Sequence, residues 1–210
     1  MDINYQQKEM NERMVQELFL KRVIVLGEIN EKSESFIRTQ IVLLNLASAE
    51  PITLIIDSTG GEIDPSFFIY DTVKSSIAPI IGIVMGKCYS AAIPILQACT
   101  TRLASPHSIF LLHLANTNVR STYDKNFKKK LNIKQIYGDY ITKESIDIIA
   151  KRSGNTPKII EKWMTDGDLY EIYLPAKEAL KRNLIDKIVN NPEDYTILER
   201  KEICDDETDH

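Results

Sequence analysis

Short, nearly continuous apolar runs recur along this chain, and stretches with helical spacing lie between them. RVIVL (22–26) stops at Gly27, ITLII fills 52–56, the run 77–85 stops at Gly86, and 108–112 leads into His113. Continuous hydrophobicity of this kind marks strands covered on both faces. Alternation with helices calls for parallel strands joined by crossover helices, which confines the chain to an α/β architecture.

The intervening helices are predicted at 10–20, 33–49, 65–75 and 91–98 from apolar residues at three- and four-residue spacing, such as Phe36, Ile37, Ile41 and Leu44. Glu31 and Glu34 stand where a helix dipole favours carboxylates. Beyond His113 the pattern weakens to polar and basic residues (115–130), then resumes as an amphipathic stripe at Ile133, Ile136, Tyr137, Tyr140 and Ile141. The stripe slips after Ile141, so 131–152 is either one kinked helix or two, with Thr142 as a cap. Its exposed apolar positions suit partner subunits. Thr156-Pro157 starts another helix, 176–182 is a last short helix and 184–189 a closing strand. The acidic tail 191–210 is expected to be mobile.

With 210 residues, 43% hydrophobic and 27% charged, one domain with a sizeable core is expected. A net charge of −4 gives no footprint for nucleic acid. Cys88, Cys99 and Cys204 have neither metal-ligand spacing nor an even disulfide framework, so a reducing, cytoplasmic setting is expected, with no metal and no cofactor. The N-terminal 22 residues are polar and of mixed charge, unlike a secretory signal. The most apolar stretch, 77–98, is interrupted by Lys87, two glycines and two prolines, and reads as buried strand plus buried helix instead of a membrane span.

Chemistry concentrates where the strands end. Ser90, in GKCYSAA, lies between a strand and a helix, where backbone N–H groups can bind an oxyanion. His113 ends another strand and is a candidate general base. Gly60-Gly61 follows a third strand, and one of these amides with that of Ala91 could form an oxyanion hole. Each piece alone has an ordinary explanation as a cap, a structural histidine or a turn. Together they fall on the edge of a parallel sheet where active sites form.

The order of these motifs resembles the Clp protease proteolytic subunit family, the caseinolytic serine peptidases of compartmentalised ATP-dependent proteases. From Arg22 to about Val189, RVIVLGEIN, LIIDSTGGEI, FFIYDTVKSS, GKCYSAA, SPHSIFLLH, IIAKRSGNTPKIIEK and LPAKEALKRNLIDKIV resemble the family's motifs in their order. The resemblance implies a crotonase-like spiral of stacked βαβ units with a protruding handle helix. It divides the chain into an N-terminal polar helical segment (1–20), a catalytic domain (21–190, with its handle at about 116–151) and the tail. It also implies Ser90 as nucleophile, His113 as base, and Gly60, Gly61 and Ala91 as oxyanion hole.

The departures mark a divergent member. Ala92 and Asn183 stand where the family has glycine, Thr59 where it has proline, Leu114-Ala115 where it has Gln-Pro, and Pro94 enters the nucleophile helix. For the acidic third member of the triad, counting from Glu161-Lys162 favours Asp166. Counting back from Tyr173-Leu174 falls between Asp166 and Asp168, and Glu171 ranks behind both.

The function implied by the resemblance is a serine endopeptidase cleaving unfolded polypeptides inside a homo-oligomer, in the family stacked heptameric rings, with an ATP-driven unfoldase as possible partner. No phosphate loop of the Gly-x-x-x-x-Gly-Lys kind occurs, so ATP hydrolysis is not expected of this chain. The segment before Arg22 does not match the family's axial-pore segment, which argues against a standard unfoldase partner. A non-catalytic ring subunit, or an acyl-CoA enzyme of the same superfamily, are the alternatives.

Overall fold

Asn30 opens the first long crossover helix because its side chain accepts the backbone N–H groups of Lys32 and Ser33, while Ser33 answers the N–H of Asn30. The computed structural model describes residues 3–114, 127–165 and 171–190, and of 3–9, 127–132 and 134 the backbone alone. Along the chain come α1 (Ile3–Leu20), β1 (Val23–Leu26), α2 (Glu31–Ala47), β2 (Ile52–Ser58), α3 (Ile63–Lys74), β3 (Ile80–Tyr89) and α4 (Ala92–Ala98). Then come β4 (Thr101–Ala104), β5 (Ile109–His113), α5 (Phe127–Ser153), α6 (Pro157–Thr165), β6 (Glu171–Pro175), α7 (Ala176–Lys181) and β7 (Lys187–Ile188).

Strands β1, β2, β3, β4 and β7 lie side by side in that order, all parallel, as the continuous apolar runs require. Ile24, Leu26, Leu54, Ile56, Ile80 and Val84 are buried in the sheet, and the helices add Ile37, Ile41, Ile69, Ile93 and Leu96 to the same core.

A break in β3 gives the sheet its second half. Ile56 pairs with Val84, and the next partner pair is Ser58 with Cys88, so β3 advances four residues while β2 advances two. Before the break, residues 81–84 of β3 pair with β4; after it, residues 87–89 pair with β5. Gly86 sits in the break at φ +130°, and a β-carbon there would lie 2.5 Å from Asp57 Oδ1. That carboxylate accepts the Lys87 N–H at 3.0 Å. The Val84 carbonyl accepts the Ser105 N–H at 2.9 Å and the hydroxyls of Ser105 and Ser108 at 3.1 and 2.7 Å. The turn between β4 and β5 thus satisfies the group that the ladder leaves open.

Several expectations change. β4 was not expected: it is four residues long and carries a buried arginine. β6 was not expected either, and it runs antiparallel to β5, so the sheet is mixed. The alternatives at Thr142 resolve to one 27-residue helix, α5, without a cap there. Residues 115–126, part of the expected handle, and the tail 191–210 lie outside the described residues.

Arg102 explains how so short a strand as β4 is held. It is 3% exposed and donates to Asp186 at 2.5 Å, to Gln97 Oε1 at 2.6 Å and to the Asn183 carbonyl at 2.8 Å. Burial would raise the Asp186 carboxyl above its usual range, but the hydrogen bonds and charge of Arg102 outweigh it and hold the carboxyl low. This stabilisation is complete above the ordinary carboxylate value of about 4 and drains away as pH falls through the lower native value. Asp186→Asn is expected to cost about 1–2 kcal/mol at neutral pH, discounted because the Asp186 side chain is partly open to solvent. Chemical denaturation from pH 7 downward checks this, and the gap to wild type should shrink as pH falls below about 4.

Candidate active site

After its break, β3 is carried by β5 up to Ser90. Tyr89 pairs with Leu111, and the Ser90 N–H continues the ladder to the Leu111 carbonyl at 2.8 Å. In a parallel ladder this puts the end of β5, two residues on, beside Ser90. His113 Nε2 lies 2.7 Å from Ser90 Oγ. Ser90 itself has φ +52°, a conformation that L-residues rarely adopt, and it turns the chain from strand into α4.

The tautomer is set by the other ring nitrogen. His113 Nδ1 lies 2.6 Å from the Leu114 carbonyl, which can only accept, so Nδ1 carries the proton. Nε2 is then left with its lone pair toward the serine hydroxyl, the arrangement a general base needs.

The Gly60-Gly61 loop packs directly on this turn. Gly60 has φ +86°, and a β-carbon on it would meet the Tyr89 carbonyl oxygen at 2.7 Å and Ser90 Cβ at 3.0 Å. A β-carbon on Gly61 would run into the main chain of Ile29. The Gly60 N–H donates to Ser58 Oγ at 3.0 Å. Among the described residues the N–H groups of Gly61 and Ala91 have no acceptor, so these two are the amides open to a ligand. The buried Ser66 of α3 donates to the Ala91 carbonyl at 2.6 Å and fixes the direction of that carbonyl.

Beside Ser90 lies a cavity of about 30 Å³. Its walls are Ile63 of α3, Ile93 and Pro94 of α4, Leu112 of β5, Ile149 of α5 and Met164 of α6, with Thr142 and Ser145 on the α5 side. Pro94 is the third residue of α4, where a helix has no partner for its N–H, so the ring lines the cavity without costing a hydrogen bond. Ala92 is fully buried.

Of the residues expected from the sequence, the structure brings together Ser90, His113, Gly60, Gly61 and Ala91. Asp166 and Asp168 lie outside the described residues. Sequence reasoning missed Ser58, Ser66 and the Leu114 carbonyl. Ser58 beside the two glycines was the available signal, whereas Ser66 and a main-chain carbonyl carry none. Glu171, ranked last among the acids, is the direct ladder partner of His113.

Comparison with known proteins decides the family. The Clp protease family model matches residues 6–192. The chain belongs to the Clp protease family.

The match starts upstream of Arg22 and takes in most of α1. Among curated relatives, an ATP-dependent Clp protease proteolytic subunit 2 of Treponema denticola is 32% identical over 180 residues, covering 83% of this chain and 84% of that protein. A subunit of the same description from Pseudomonas aeruginosa is 29% identical over 185 residues, covering 86% of each. A solved structure, a point mutant of ClpP1 from Listeria monocytogenes, superposes with a TM-score of 0.74 at 23% identity, covering 86% of this chain and 98% of that one. The fold is that of ClpP. Among the described residues no helix is long and apolar enough to cross a membrane.

Gly60→Ala tests whether the loop geometry matters for this Clp-family site. It should reduce fluorophosphonate labelling of Ser90 by at least about 100-fold, the size of a lost oxyanion donor. The far-UV circular dichroism should stay native; unchanged labelling would contradict the placement of the loop.

Proposed function

We propose that this chain is a serine endopeptidase. The observation that carries the reading is the 2.7 Å contact between Ser90 Oγ and His113 Nε2, with Nδ1 protonated and open amides at Gly61 and Ala91. Ser90 Oγ attacks the scissile carbonyl carbon as its proton passes to Nε2. The oxyanion is held by the Gly61 and Ala91 N–H groups. His113 returns the proton to the leaving amine, and the peptide bond breaks to leave an acyl-enzyme. Water, deprotonated by Nε2, attacks the ester carbonyl; Ser90 takes the proton back as it leaves, and the carboxylic product departs. A carboxylate is the usual partner of the resulting imidazolium, the role expected of Asp166 or Asp168.

The cavity beside Ser90 suits a small apolar substrate side chain. The relatives are described as proteolytic subunits of ATP-dependent proteases, which supports unfolded polypeptides as substrate, a ring-shaped homo-oligomer as the working form and a separate ATP-driven unfoldase as partner. Exposed Ile133, Ile136 and Tyr140 on α5 offer apolar surface for contacts between copies. The buried thiols of Cys88 and Cys99, the second pushed up to about 12 by burial, suit a cytoplasmic setting.

Ser90→Ala and His113→Ala should each cut cleavage of a fluorogenic peptide by about 1,000-fold or more. Light scattering should show the oligomer unchanged. Cleavage that survives in Ser90→Ala would remove the serine mechanism. Absence of both cleavage and fluorophosphonate labelling in assembled wild type would favour a non-catalytic subunit.

A further inference from the structure

The cavity beside Ser90 is walled by two helices that are also joined outside it. Ile63 of α3 forms one part of the wall, and Thr142, Ser145 and Ile149 of α5 form another. Residues 137, 141, 145 and 149 recur at every fourth position and so share one face of α5. Ile141 is buried, and one turn before it, beyond the cavity wall, the Tyr137 hydroxyl donates to Asp64 Oδ1. Asp64 directly follows Ile63 in the first turn of α3. Among the described residues no other hydrogen bond joins α5 to α3. On the other side of Ile63, the Glu62 N–H anchors the chain by donating to the Ile29 carbonyl at 2.9 Å. The hydrogen bond to Asp64, then burial and the Asp64 charge, push the Tyr137 phenol up to about 12, so it stays a donor throughout the neutral range.

We propose that Tyr137 and Asp64 form a latch that holds α3 and α5 closed around the cavity, restricting the residue before the cleaved bond to a small side chain. The proposal rests on the peptidase reading of Ser90. At about 30 Å³ the cavity holds a group the size of one or two waters, such as a methyl, and has no room for an isobutyl or benzyl group. A larger side chain enters only if Ile63 moves away from Ser145 and Ile149. The latch opposes that movement because its two ends sit on the helices that must separate. An ionised acceptor makes it stronger than a hydrogen bond between neutral groups. Both residues are exposed, and screening by water keeps the restraint modest, enough to set a preference without forming an absolute barrier. Tyr137 and Asp64 are therefore positioning residues, acting on the substrate through the cavity wall.

The test measures kcat/KM of the full chain on fluorogenic peptides with alanine, leucine or phenylalanine before the cleaved bond. The proteins are wild type, Tyr137→Phe, Asp64→Asn, Asp64→Ala and the double variant Tyr137→Phe/Asp64→Ala. Wild type should favour alanine over leucine by about tenfold or more. Tyr137→Phe and Asp64→Ala should each lower that ratio by about fivefold through faster cleavage after leucine, with cleavage after alanine within about threefold of wild type. Asp64→Asn keeps a neutral acceptor and should fall between. The double variant should match either single one, since both break the same contact. Light scattering should show the same particle throughout. A wild type that prefers leucine or phenylalanine, a ratio unmoved by Tyr137→Phe and Asp64→Ala, or an oligomer lost in Tyr137→Phe overturns the proposal. Cleavage surviving in Ser90→Ala defeats the peptidase reading instead. A phenol titration near 12, absent from Tyr137→Phe and shifted toward about 10 in Asp64→Ala, then still decides whether the latch is closed.

Discussion

Everything at the site depends on the interruption of β3 between Val84 and Cys88. A regular strand would keep β4 as its neighbour throughout and leave the His113 strand nowhere to pair. The two additional residues let β3 change partners, so its last three residues align with β5 and the ladder runs on to the Ser90 N–H. The separation of Ser90 and His113 is therefore a matter of register, which the backbone fixes more firmly than side-chain packing could. The cost is a carbonyl without a ladder partner and a glycine-only backbone turn. Ser105, Ser108 and Asp57 supply the missing hydrogen bonds, and Gly86 supplies the conformation.

The same strategy recurs around Ser90. Ser90 and Gly60 both hold positive φ values, and the two turns pack closely against each other. Ser66 fixes the Ala91 carbonyl, while the Ala91 N–H and that of Gly61 stay open. Departures from the family's motifs are absorbed locally. Pro94 occupies a helix position with no hydrogen bond to lose, and Asn183 adopts the left-handed conformation, φ +56°, that glycine would take.

Much of this was legible in the sequence because hydrophobic continuity and strand-to-helix order reflect burial. The parallel strands, the Ser90 junction, His113 at a strand end and the Thr156-Pro157 helix start all came from local pattern. β4 escaped because its central arginine reads as polar, yet that residue is satisfied by Asp186, 84 positions away. β6 escaped because an edge strand of five residues with an exposed glutamate and tyrosine has no distinctive period. With it went the pairing of Glu171 to His113, which no spacing along the chain encodes. The choice of Asp166 or Asp168 rested on sequence spacing, and both lie outside the described residues.

The β3–β5 register is what places Ser90 Oγ beside His113 Nε2. The most direct measurement is the rate of Ser90 phosphonylation by a fluorophosphonate as a function of pH, in wild type and in His113→Ala. A register-set serine–histidine pair predicts a rate that rises through one titration step in wild type. In His113→Ala the step disappears and the rate falls by about 100-fold or more. The same profile and rate in both proteins would contradict this pairing.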